Sequence, residues 1–257
     1  MTPEEHVYKL PDTYIGSAES EKKELYRWYD NNRSSNCVLM FPSPFPEYIN
    51  FFCSDLATPP VFPLLPEEKK FLSTLGSTKR QAEFSLGRNC AHQALAKFKL
   101  ESEPILRNAE TREPCWPKSV RGSITHSGEF AAAAVGLAND VAGIGIDLEN
   151  LARDVDFNIS RHVCVETELE WLKNLSPELA KRGLRIIFSA KESIFKCLFP
   201  ISQTYLYFKD ATITINEDNY DFSFILSKAC SGITKVGFQH KGRFTIKDNM
   251  LLTSIYL

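Results

Sequence analysis

The chain has no paired-cysteine motif, no long apolar run and no internal repeat at solenoid periods, and each absence removes a class of protein. Its seven cysteines, at 37, 53, 90, 115, 164, 197 and 230, are odd in number and form no CxxC pair, which argues against structural zinc and against a disulfide framework. The longest apolar stretch, Phe130 to Ala138, falls far short of the roughly 20 residues that a membrane-spanning helix needs. The acidic start, MTPEEHVYKLPD, has no apolar leader core. Together these features point to the reducing cytoplasm. GxGxxG, GxxxxGK[ST] and GxSxG are also missing, so neither dinucleotide binding, P-loop chemistry nor a hydrolase nucleophile elbow is signalled.

What is present is an ordinary globular composition of 257 residues, 43% hydrophobic and 24% charged, enough for one large or two small domains. The net charge of −2 hides a polarity along the chain. Residues 1–68 carry eleven acids against five bases, whereas residues 69–121 carry eleven bases against five acids. A local basic segment inside a protein of isoelectric point near 6.2 suits a confined anion better than nucleic acid, although a solvated helix face would give the same count.

The prolines between Phe41 and Pro66 exclude a regular helix there and predict extended chain. Phe84, Gly87, Ala91, Leu95 and Phe98 recur at helical spacing and predict a helix from Thr78 to about Leu100, with Ser77 or Thr78 as its cap and Arg80 and Arg88 flanking the stripe. Between Gly122 and Glu149 the pattern changes to short strands joined by tight turns, although the alanine run would also suit a helix. A short helix is expected from Glu166 to Leu175 and a longer one from Pro177 or Gly183 to Phe199, ended by Pro200. The tail alternates like strands over residues 205–215, 220–226, 243–246 and 251–257. Helices beside antiparallel strands in both parts of the chain make the fold class α+β.

Three clusters could carry chemistry. In a strand Asp147 and Glu149 share a face, and two hard carboxylates at the end of an apolar strand suit Mg²⁺, or simply end the strand in solvent. Glu192 and Lys196 share a helix face, either as functional groups or as a surface pair, while Lys191 falls on the apolar stripe and needs an anion or a route to water. Thr125, His126 and Ser127 form a polar triplet after a short strand, fit for a phosphate or for local turn bonds. The remaining histidines make no metal-ligand spacing.

Taken in order, KRQAEFSLGRNCA, EPCWPKSVRGSITHS, GIGIDLE and FSAKESIFK resemble the motifs of the 4′-phosphopantetheinyl transferases of the surfactin and enterobactin-synthase component D type, across residues 78–199. The resemblance implies two pseudo-twofold-related halves, residues 1–141 and 142–257, each with helices on a small, mostly antiparallel sheet and the active site between them. It implies transfer of the phosphopantetheine arm of coenzyme A to a serine of an apo carrier protein, peptidyl, aryl or acyl, with siderophore or non-ribosomal peptide synthesis as the setting and a monomeric enzyme. Asp147, Glu149 and Glu192 match the Mg²⁺-holding acids, Glu192 serving as ligand or base, and Lys196 matches the lysine at the reacting phosphates. Arg80, Arg88 and His126 lie in the motifs that hold the nucleotide and its 3′-phosphate, with Arg112, Thr125 and Lys191 beside them. Where relatives read GRxxAR this chain has His92, which removes a permanent charge. A carrier- or nucleotide-binding module without turnover and an Mg²⁺-dependent nucleotide phosphohydrolase are the alternatives.

Overall fold

The computed structural model describes residues 41–257, so the acidic segment 1–40 with Cys37 lies outside the described residues. The proline-rich chain contributes strand β1 (Ile49–Asp55) and then runs without regular structure to Leu65. Its backbone donors are met by a side chain: Val61 and Phe62 both donate to Asn89 Oδ1, at 3.0 and 3.1 Å. Pro66 opens helix α1 (Pro66–Leu72), where its missing N–H costs nothing. Helix α2 (Thr78–Ala96) starts after Ser77, whose side chain makes no capping bond, and ends four residues earlier than its pattern suggests. Lys99 takes a left-handed turn (φ 60°) and Leu100 N–H returns to the Leu95 carbonyl.

A two-stranded hairpin, β2 (Leu106–Arg107) and β3 (Pro114–Cys115), leads into β4 (Val120–Ser127) and β5 (Phe130–Leu137). The alanine run is strand β5, held antiparallel between β1 and β4. Its alternate residues serve two cores, Ala132 and Ala134 facing Phe51 and Ile146, Ala131 and Ala133 facing Leu95. Helix propensity is overridden because only small side chains fit between covers on both faces.

The second half repeats the plan on a larger sheet, β6 (Ile144–Asn150), β10 (Met250–Tyr256), β9 (Gln239–Lys247), β8 (Asp221–Leu226) and β7 (Ala211–Asn216) in that antiparallel order. Helices α3 (Glu166–Lys173) and α4 (Pro177–Ser202) cover it, with α4 lying on β6 and β10. Helix α4 runs past Pro200 to a left-handed Gln203 (φ 49°), whose N–H bonds the Phe199 carbonyl. Pro200 therefore forfeits one internal bond, that to the Lys196 carbonyl, without stopping the helix. No helix among the described residues is long and apolar enough to cross a membrane.

The halves meet along β4 and β6, where hydroxyls replace a backbone ladder. Ser123 Oγ accepts from Ile146 N–H at 3.2 Å and Thr125 Oγ1 from Leu148 N–H at 3.1 Å. The two halves also share one buried device. Glu68, in the first turn of α1, accepts from its own cap residue Leu65 (3.0 Å), from Ile105 N–H (2.9 Å) and binds His92 on α2 (2.9 Å). Glu168, in the first turn of α3, accepts from its cap residue Val165 (2.8 Å), from Ile213 N–H (2.6 Å) and from Lys191 on α4 (2.7 Å). Both glutamates are buried, and each ties a short helix and a long helix to a third segment, Ile105 just before β2 in one case and β7 in the other. The repeat that pattern matching does not find is thus present in the chemistry. Lys191→Met would leave Glu168 charged without a counter-ion, and we expect a loss of about 3–5 kcal/mol in urea unfolding at pH 7. A loss below about 1 kcal/mol would show that the tie is dispensable.

Candidate active site

The site forms where α4 crosses β6 beside β4. Ile144, Ile146 and Leu148 turn to one core, so Gly145, Asp147 and Glu149 turn to the other side, toward α4. Contact is close: a Cβ on Gly145 would lie 1.9 Å from the Ser193 carbonyl oxygen, so only glycine lets the helix approach this strand. One face of α4 then presents Arg185, Ser189, Glu192 and Lys196, at successive spacings of four, three and four. Arg185 Nη1 donates to Glu149 Oε2 at 2.6 Å, Ser189 Oγ to Asp147 Oδ2 at 2.8 Å, and Lys196 Nζ to Asp147 Oδ1 at 2.7 Å. From the other half Thr125 Oγ1 lies 3.3 Å from Asp147 Oδ1. Burial raises the Glu149 carboxyl above its usual range, the Asp147 charge adds to this, and Arg185 and Lys196 oppose it. Burial likewise raises Glu192, against the pull of Lys196.

A second, cationic group faces these acids. His126, at the end of β4, lies 3.8 Å from Glu83, and burial holds its imidazole below the usual range, with Lys196 and Arg107 adding repulsion. Arg107 and Arg112 stand on the β2–β3 hairpin, where Arg107 Nε donates to the Arg112 carbonyl at 3.2 Å and Arg112 adopts φ 65°. Burial lowers the Arg107 guanidinium, and the charges of Arg112 and Arg80 add to this. Such convergence suits an anion.

Three expected ligand residues have structural partners. Arg88 is buried: Nε donates to the Ile105 carbonyl at 2.7 Å, Nη2 reaches Leu106 at 3.5 Å, and the guanidinium lies 4.4 Å from the Phe84 ring centre. Burial pulls it down to about 10, and it supports the hairpin from behind. Lys191 has the anion that its place on the apolar stripe demands, but that anion is Glu168, joined by the Val163 carbonyl at 2.9 Å. Thr125 uses its hydroxyl on the seam between the sheets. His92, in place of an arginine, contacts both Glu68 oxygens, so it replaces a charge with a buried tie. Sequence reasoning missed Arg185, Ser189, Arg107 and Glu83; the polar stripe at 185, 189, 192 and 196 was a usable signal for the first two.

Among the described residues no group of three or more His, Cys, Asp or Glu side chains stands ready-made to hold a metal ion. The donor chemistry nonetheless fits Mg²⁺, which takes one or two carboxylates and fills its shell with water and substrate phosphate. Glu149 Oε1 and the Glu192 carboxyl accept no hydrogen bond from any described residue. A raised carboxyl is favourable to folding below its unfolded value, and that advantage is lost as pH rises through the folded value. Glu192→Gln is therefore expected to raise the melting temperature more at pH 7 than at pH 5; an equal or smaller gain at pH 7 would contradict a half-buried carboxylate whose charged form is disfavoured by desolvation.

Two family models match, the 4′-phosphopantetheinyl transferase N-terminal domain over residues 67–136 and the 4′-phosphopantetheinyl transferase superfamily over residues 143–237. The chain is 33% identical over 205 residues to 4′-phosphopantetheinyl transferase PptT of Mycobacterium tuberculosis, covering 77% of this chain and 88% of the relative. It is 33% identical over 208 residues to 4′-phosphopantetheinyl transferase Svp of Streptomyces mobaraensis, covering 79% and 82%. Enterobactin synthase component D of Escherichia coli is 38% identical over 123 residues, covering 46% of this chain and 54% of the relative. A solved Thermotoga maritima holo-[acyl-carrier-protein] synthase superposes with a TM-score of 0.36 at 16% identity, over 46% of this chain and 63% of that one. With both halves of its site framed by matched segments and a relative covered over most of its length, the chain belongs to the 4′-phosphopantetheinyl transferase family.

Proposed function

We propose that this chain moves the 4′-phosphopantetheine arm of coenzyme A to a serine of an apo carrier protein in an Mg²⁺-dependent reaction, releasing 3′,5′-adenosine bisphosphate. The observation that supports it most is the bond between the Asp147 carboxylate on β6 and Lys196, beside His126, whose imidazole feels the charges of Asp147, Lys196 and Arg107 of the cationic hairpin. Phosphoryl transfer asks a protein mainly for positioning and charge neutralisation, and these two groups supply both signs of charge. Arg80, Arg107, Arg112 and His126 take the nucleotide end with its 3′-phosphate. A cavity of about 820 Å³ opens between the halves, lined by Trp116, Pro117, Val120, Pro200 and Ile201, four residues along α4 from Lys196. Its apolar walls suit the pantetheine arm.

Asp147, Glu149 and Glu192 are the groups that would hold Mg²⁺, which supplies charge neutralisation at the pyrophosphate. In the transfer, the carrier serine oxygen forms a bond to the phosphorus bearing pantetheine, and the bond from that phosphorus to the bridging oxygen breaks. Glu192, directly or through a water, takes the serine proton. Lys196 offsets the charge left on the adenosine bisphosphate. A siderophore or non-ribosomal peptide carrier is the acceptor in this reading, and the enterobactin synthase component D relatives support the first. We place the enzyme in the cytoplasm and read it as a monomer, since both halves of the site lie in one chain.

Incubation with coenzyme A, Mg²⁺ and an apo carrier domain should add one phosphopantetheine to the carrier, read by mass spectrometry. Lys196→Met should lower kcat by about 10²- to 10³-fold. Coenzyme A breakdown without a mass gain would instead identify a phosphohydrolase, and an unmodified carrier with intact coenzyme A would leave a binding module.

A further inference from the structure

We infer that Arg185 is the positioning residue of the cation site, acting through Glu149. This rests on the reading of the β6 carboxylates as cation ligands. Among the described residues Arg185 bonds only Glu149 and the chain leaving β6, and its side chain is 11% exposed. Its planar fork makes a set of bonds that a point charge could not reproduce. Nη1 holds Glu149 Oε2 at 2.6 Å and reaches the Asn150 carbonyl at 3.3 Å, while Nη2 holds the Arg153 carbonyl at 2.8 Å and reaches Asp154 at 3.5 Å.

The consequence for Glu149 is specific. One carboxylate oxygen is fixed by a charge-assisted bond and the other is left unbonded, so the group presents a single oriented donor rather than a freely rotating pair. The same fork fastens residues 150–154, the chain leaving β6, to α4. Strand, exit loop and helix are thereby set at one distance, and Arg185 carries the positive charge that lets Asp147 and Glu149 stand two residues apart. Outer partners that orient a ligand in this way are generally worth about 10- to 100-fold in metal affinity.

The test is Mn²⁺ binding to the full chain, followed by the loss of the free-ion signal in electron paramagnetic resonance, without coenzyme A or carrier. Arg185→Gln should bind Mn²⁺ about tenfold or more weakly than the unaltered chain. In the Glu149→Gln background the same substitution should add less than twofold, because its effect passes through Glu149. Arg185→Gln binding within twofold of the unaltered chain, while Asp147→Asn has lost the ion, would overturn the inference and leave the cation site standing. A further tenfold loss in the Glu149→Gln background would also overturn it. Should Asp147→Asn bind as the unaltered chain does, the cation-site reading itself fails, and the inference with it. If circular dichroism shows Arg185→Gln unfolded, Arg185→Lys is measured in its place, with the same tenfold loss expected because lysine lacks the fork.

Discussion

A buried carboxylate must find donors, and Asp147 draws them from both halves: Lys196 and Ser189 on α4, and Thr125 on β4. The arrangement depends on how near α4 lies to β6, which Gly145 permits by having no side chain to meet the Ser193 carbonyl. Once helix and strand are set at that distance, the stripe from Arg185 to Lys196 falls onto the row from Glu149 to Asp147. The site is therefore a consequence of backbone packing before it is a set of side chains, and its geometry is pinned by elements that also carry the core.

The two halves divide the work. Matching β1 to β6 by their strand pairings puts Phe52 opposite Asp147 and Ser54 opposite Glu149. Matching His92 to Lys191 by their buried glutamates puts Gln93 opposite Glu192 and Lys97 opposite Lys196. Lys97 lies 5.9 Å from the Phe52 ring centre, in the place where Lys196 meets Asp147. The first half has the scaffold of the acidic centre without its carboxylates, and it supplies the arginines and His126 instead. The acids of the second half then face the cations of the first across the seam of Ser123 and Thr125 hydroxyls.

The sequence was most informative where one element decides the outcome. Period-two spacing is enough to place Asp147 and Glu149 on one face of β6, and helical spacing is enough to place Glu192 and Lys196 on one face of α4, because both are local rules. It was least informative for cations whose partner lies in another element. Lys191, Arg88 and His92 each sit within a motif, yet their partners, Glu168, the Ile105 carbonyl and Glu68, come from 17 to 24 residues away. Nothing local separates an arginine that meets a phosphate from one that meets a carbonyl. The alanine run, which suited strand or helix alike, is settled by packing, and the helix end placed at Pro200 gave way to packing as well, since a covered sheet centre or a well-anchored helix outweighs propensity by more than the few tenths to few kcal/mol at issue.

The account holds that the β6 carboxylates and the α4 lysine gather around the pyrophosphate of the donor while the hairpin arginines hold its other end. Diffraction from crystals grown with coenzyme A and Mn²⁺, using the anomalous signal of manganese, tests this directly. The account predicts a manganese peak between the Asp147 and Glu149 carboxylates and the pyrophosphate, with the 3′-phosphate beside Arg80, Arg107 and His126. A nucleotide seated away from β6, or a manganese peak remote from both carboxylates, would contradict it.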